Sequence, residues 1–319
     1  MTKSQAIAAT THVDGHGMKI TKEALDKLAE EFQKSETVPA LLIEHDTTLP
    51  PIGKVIDGKV EKMEDGEYKL VITQEFFDSY SEITLPDGSP AIVQSSQNDN
   101  RPFNQREQTE LSSNLKISVD RINFNSDEDY TKFTQEINQV EKCEINNFIR
   151  KSILPDPEML ITLTTAFLGS SLVTKIGDKL IDKLIDNVID NTAPKAYQTI
   201  KQAIFSMNKY YVPKNTPITY IFLIPGDFEI ELIVKTNEPN KVLTAILEEN
   251  IIKTVEKANE FHKTLDAKKI QFLYNENNEW DFNYLLTNTG SVIGAPESHH
   301  KREQRMQLMF QQQDKQEKS

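Results

Sequence analysis

Cysteine is almost absent: Cys143 is the only one in 319 residues. A single thiol can close no disulfide within the chain and can build no cysteine-based zinc cluster. Glycine is scarce as well, with 11 residues, and nowhere do they gather into a loop that could cradle a phosphate. The strained serine elbow of common hydrolases and the paired-histidine helix of zinc proteases are missing too, which argues against nucleotide-dependent transfer and against those hydrolytic designs. Basic residues are outnumbered, 36 Lys and Arg against 49 Asp and Glu, and the net charge of −13 repels phosphate backbones and anionic lipid alike. Nucleic acid is therefore not an expected partner.

No apolar run is long enough for a bilayer. The longest, Met159 to Thr174 ("MLITLTTAFLGSSLVT"), falls short of the roughly 20 residues a spanning helix needs and is diluted by hydroxyls. It reads as a buried helix rather than a membrane span. The first residues carry one lysine and too short an apolar stretch for a secretory leader, so the expected location is cytoplasmic.

What is present divides into three regions and a tail, an α+β multidomain chain. Residues 1–126 read as a β-rich domain. In it, "KITKEALDKLAEEFQKS" places Ile20, Leu25, Leu28, Ala29 and Phe32 on one helical face behind Thr21 as N-cap. "VPALLIEH" then reads as a buried strand. "PIGKVIDGKVEKMEDGEYKLVITQEFF" reads as a hairpin turning at Glu64-Asp65-Gly66, with Tyr68, Leu70 and Ile72 alternating on one face. Residues 85–114, crowded with Ser, Asn, Gln, Asp and Pro, read as one long loop. "LKISVDRINF" resumes the alternation, so the loop is expected to be an insertion within this domain.

Residues 127–212 read as a helical region, interrupted at Pro155-Asp156-Pro157. Its unit Leu-Ile-Asp recurs every four residues through "KIGDKLIDKLIDNVIDN", which gathers Leu180, Ile181, Leu184, Ile185, Val188 and Ile189 on one drifting face. That 176–190 helix could pack into this chain's own core or pair two copies of the chain. Residues 213–295 read as a small α+β unit of two hairpins around one helix. Residues 296–319 are a polar, Gln-rich tail, expected to be disordered or a frayed helix.

Two stretches could carry chemistry. His12, Asp14 and His16 in "HVDGH", together with His45 and Asp46, offer nitrogen and oxygen ligands of the kind zinc accepts, but Asp14-Gly15 is also a turn signal; no metal or cofactor is assigned. The second stretch is "VPALLIEHDTTLPPIGKV": an apolar strand ending in His45-Asp46, then Pro51-Ile52-Gly53 and a hairpin. Together with the preceding "HVDGHGMKITKEALDKLAEEF", it resembles the amino-terminal part of the phage prohead, or capsid maturation, proteases and their Mu-like relatives. The resemblance covers residues 12–125 at most.

It implies a serine peptidase of phage or prophage type acting on protein substrates or on itself. His45 would be general base, Ser118 in "LKISVDRINF" the nucleophile, and Asp46 or Glu110 the group that orients the base. Departures from the family pattern are Val119-Asp120 after the serine and the long preceding loop. The residues alone also allow Asp46, Thr47 and the prolines to be turn chemistry and Ser118 to be one polar position on a strand. The alternative is therefore a non-enzymatic peptide- or protein-binding or assembly protein that keeps only the protease-like fold.

Overall fold

The computed structural model describes residues 3–13, 19–104, 115–148, 157–163, 167 and 192–316. The protein is α+β: fourteen strands and six α-helices are found among the described residues. They form two compact units, residues 1–105 with 284–319, and residues 106–283. The expected helix over 176–190, and with it any pairing of copies through that face, lies outside the described residues.

In the first unit, a sheet of order β1-β4-β3-β2 is built from β1 (Lys3–Thr10), β2 (Ala40–Leu41), β3 (Gly53–Lys62) and β4 (Tyr68–Phe76). The β3–β4 hairpin matches the alternation of its sequence. Lys3–Thr10 adds to β4 as an antiparallel edge strand. Helix α1 (Lys22–Lys34) starts where Thr21 accepts a hydrogen bond from the Ala24 amide at 3.2 Å. It buries Leu25 and Ala29 against Val55, Leu70 and Ile72. Gly53 is required by close approach, because a Cβ there would stand 2.1 Å from the Glu75 carbonyl oxygen.

The expected strand "VPALLIEH" shrinks to Ala40–Leu41. Glu44 and His45 take left-handed φ values of 48° and 60°, and two such residues in succession turn the chain out of any sheet. Part of the expected 85–114 loop is also strand: β6 (Pro90–Ser95) lies within it and forms a hairpin with the preceding β5 (Ser79–Thr84). Its turn is fixed by Gly88 at φ 85° and by Asp87, which accepts from the Ser89 amide and hydroxyl. Strand β6 pairs in turn with β14 (Val292–Gly294). The polar tail is neither disordered nor a loose end in the described residues, for α6 (Pro296–Gln316) is a helix that buries Ser298, His299 and Arg302.

The second unit contains β7 (Lys116–Val119), β8 (Glu144–Asn147), β9 (Glu158–Thr162), β10 (Ile218–Ile224), β11 (Glu229–Thr236) and β12 (Ala267–Tyr274). Strands β7 and β8, β9 and β10, and β11 and β12 are parallel pairs. Parallel neighbours need a crossover. Helix α2 (Asp127–Asn138) lies between the first pair in sequence, α3 (Thr192–Tyr210) between the second, and α4 (Pro239–Ala245) and α5 (Glu248–Leu265) between the third. The chain passes from this unit back to the first within β13 (Trp280–Thr287), between Asn283 and Tyr284. All seven residues of β10 are buried, as expected for a central strand covered on both faces.

Three expectations are corrected here. Ser118's strand does not continue the first domain: β7 pairs with β8 and β9 and belongs to the second unit. Met159–Thr162 is strand, not helix, because a short buried apolar run bounded by proline fits either and only its pairing partners decide. The one helix read within residues 213–295 is two, since Leu247 takes extended backbone and restarts the helix.

Candidate functional site

The residues singled out for serine chemistry fall in two places. His45 is exposed in the left-handed turn of the first unit. Beside it, the Asp46 amide donates to the Ile43 carbonyl at 2.8 Å, while the Asp46 carboxylate accepts from the Thr48 amide at 2.9 Å and the Thr48 hydroxyl at 2.6 Å. These bonds close the turn and commit the carboxylate to Thr48. Ser118 lies in the second unit on β7, half-buried, opposite Asn146 on β8 and Leu160 on β9.

The histidine-rich stretch near the start is also turned to another use. His12 Nε2 meets Asp65 Oδ2 at 2.8 Å, tying β1's end to the β3–β4 turn. Asp14, His16 and Glu110 lie outside the described residues. Among the described residues no group of three or more His, Cys, Asp or Glu side chains could hold a metal ion. No helix among them is long and apolar enough to cross a membrane.

Polar side chains cluster elsewhere for structural reasons. In the second unit, Glu231 accepts from Lys269 Nζ and Gln271 Nε2, both at 2.7 Å, and Gln271 accepts from Asn283. This ladder runs across β11, β12 and β13 and neutralises its own charge. Glu136 on α2 collects Lys209, Ser206 and Tyr210 of α3 at 2.5, 2.6 and 2.7 Å. The lysine first, then the serine, hold its carboxyl well below the usual range, at about 2. In the first unit, Lys54 is buried on β3 and donates to the Asp99 and Arg101 carbonyls at 2.6 and 2.8 Å. Burial lowers its pKa, opposed by Asp99 and by Glu75, its cross-strand neighbour.

One concavity of the first unit is not closed in this way. A groove of about 470 Å³ opens between the chain after β2, the ends of β4 and β6, and α6. Its volume lies within the roughly 300–1,000 Å³ of ligand pockets. Leu41, Leu42, Ile43 and Ile52 line it from the chain around β2, Phe76 and Phe77 from the end of β4, and Met306 and Met309 from the helix. Thioethers adapt to varied apolar shapes. Glu44 and Glu303 stand exposed at its mouth, where Glu44 is paired with Arg305.

The buried charge of the groove is Arg302. It is only 4% exposed, and Nη1 donates to the Pro51 carbonyl and to Gln94 Oε1, each at 2.8 Å. Desolvation is the main influence lowering its pKa, with Glu303 opposing, yet arginine starts so high that it remains a cation. His299, one turn earlier, is 2% exposed, and burial first and Arg302 second push its pKa down to about 4. It fits because Gly294 leaves room: a Cβ there would come within 2.7 Å of His299 Nε2.

Arg302, Met306 and Met309 lie in the stretch whose composition reads as a polar tail. Their spacing of four and three residues places them on one helical face with His299, a signal that the abundance of Gln and Lys obscured.

No protein-family model, no curated protein and no solved structure matches the chain.

Proposed function

We propose that the chain is a non-enzymatic, peptide-binding protein whose first unit receives an apolar segment of another polypeptide, keeping a prohead-protease-like fold without its chemistry. The observation that carries this reading is the apolar groove, eight of whose lining residues are Leu, Ile, Phe or Met, with a single buried cation in its wall. The peptidase reading has less support. The carboxylate next to its proposed base is held by the Thr48 amide and hydroxyl.

The test is fluorescence anisotropy of the full chain with a fluorescein-labelled Ser-Gly-Ser-Leu-Val-Phe peptide, which is then recovered and weighed. Saturable binding, an uncut peptide, and at least about tenfold weaker binding by Met306→Glu are expected, since the new carboxylate would be desolvated by the ligand. Met306 is only partly buried, so this variant should fold. Cleavage of the peptide that Ser118→Ala abolishes would restore the peptidase reading. Equal binding by wild type and Met306→Glu would remove the groove from the account.

A further inference from the structure

We infer that the groove recognises the free carboxyl terminus of its polypeptide ligand, with Arg302 receiving the carboxylate; this rests on the peptide-binding reading above. Arg302 differs from Arg101, the half-buried arginine of its unit. Arg101 is paired with Asp99 and also donates to the carbonyls of Phe32, Ser35 and Ile56. Arg302 has only the neutral acceptors Pro51 O and Gln94 Oε1, both on Nη1; Nε is buried with no acceptor, and no carboxylate pairs with the guanidinium among the described residues. A desolvated cation without an anion is costly to keep. Its position in the wall of an open groove supplies the reason: the anion comes with the ligand.

The neighbouring polar groups select among anions. Gln94 uses Oε1 on Arg302, and Gln74 uses Oε1 on the Ser4 hydroxyl, so both retain amide N–H donors at the groove. A chain terminus brings what these donors need, namely peptide carbonyls next to its carboxylate, whereas the alkyl chain of a fatty acid brings none. The exposed Glu44 and Glu303 at the mouth disfavour a dianion such as a phosphate monoester. Phe76, Phe77 and the two methionines call for an apolar last residue. The ligand is therefore a polypeptide ending in an apolar residue with its α-carboxylate free. The guanidinium fork is suited to hold that carboxylate by two parallel hydrogen bonds.

The experiment compares three probes on the full chain: the Ser-Gly-Ser-Leu-Val-Phe peptide as free acid, the same peptide as carboxyl-terminal amide, and sodium dodecanoate as competitor. The amide should bind about 10- to 100-fold more weakly than the acid, the range for losing a hydrogen bond to a charged group. Arg302→Gln should bring that ratio close to one, with its fold checked by circular dichroism. Should that variant not fold, the acid and amide ratio on the wild-type chain decides alone. Equal affinity for acid and amide would overturn the inference while leaving the groove as a peptide site. Failure of both peptides to bind would overturn the peptide-binding reading and the inference together. Displacement of the acid peptide by dodecanoate at a similar concentration would show that the carboxylate belongs to a lipid and would overturn the polypeptide assignment.

Discussion

Acid should loosen the first unit through one residue, His299. In the folded chain its ring is 2% exposed, neither nitrogen completes a hydrogen bond, and Arg302 lies one turn away. Burial first and the guanidinium second lower its pKa from 6.5 to about 4, against a smaller opposing effect of the Ile92 backbone. An unfolded chain takes up this proton near 6.5, whereas the folded one resists until about 4. Between those values acid favours the unfolded state. The contribution is fully present above pH 6.5 and is lost progressively as pH falls toward 4. At 1.36 kcal/mol per pH unit, the complete loss is about 3 kcal/mol, most of it reached by pH 4.5. The assay is urea unfolding of the full chain and of His299→Met at pH 7.5 and pH 4.5. Wild type should lose about 2–3 kcal/mol more than the variant over that interval. Parallel losses in the two proteins would show that His299 is not held neutral, and would refute the argument.

Two further outcomes follow from charged side chains. Lys54→Met should destabilise the first unit by about 2–5 kcal/mol in urea unfolding, because it strips two carbonyls of their donor and leaves Glu75 with Lys3 as its one remaining cross-strand cation; a loss under 1 kcal/mol would mean that water already serves those carbonyls. Glu136→Gln should cost about 1–3 kcal/mol at pH 7 in thermal or urea unfolding, as the charge-assisted bonds to Lys209, Ser206 and Tyr210 become neutral ones. Because that carboxyl sits near 2 rather than 4.5, its contribution is present above pH 4.5 and fades as pH falls toward 2, where wild type and variant should converge.

The hairpins were legible because their information is local. Strands β3 and β4 alternate around Glu64-Asp65-Gly66, and β10 and β11 are two apolar runs around Pro225-Gly226-Asp227. Helix α1 announced itself by Thr21 and the spacing of Leu25 and Ala29. Non-local pairing left no such mark. Nothing in "LKISVDRINF" tells whether it joins β3 and β4 or, as it does, β8 and β9. Met159–Thr162 carries the same apolar content whether helix or strand, and its partners are Lys116–Val119 and Tyr220–Leu223.

The site was partly legible. His45-Asp46 reads as a base with its orienting carboxylate or as a turn, and the Thr48 hydrogen bonds correspond to the turn. The groove was hidden because its walls come from residues 41–52, 74–77, 94 and 302–309, brought together only by folding. A polar, Gln-rich composition masked the one helical face of α6 that is buried.

The most direct measurement is hydrogen–deuterium exchange of the full chain, with and without saturating Ser-Gly-Ser-Leu-Val-Phe free acid. Peptide binding in the groove predicts slowed exchange confined to residues 41–52, 74–77 and 302–309, with Ser118's strand unchanged. Slowed exchange around residues 116–119 in place of those segments, or no change anywhere at saturation, would contradict it.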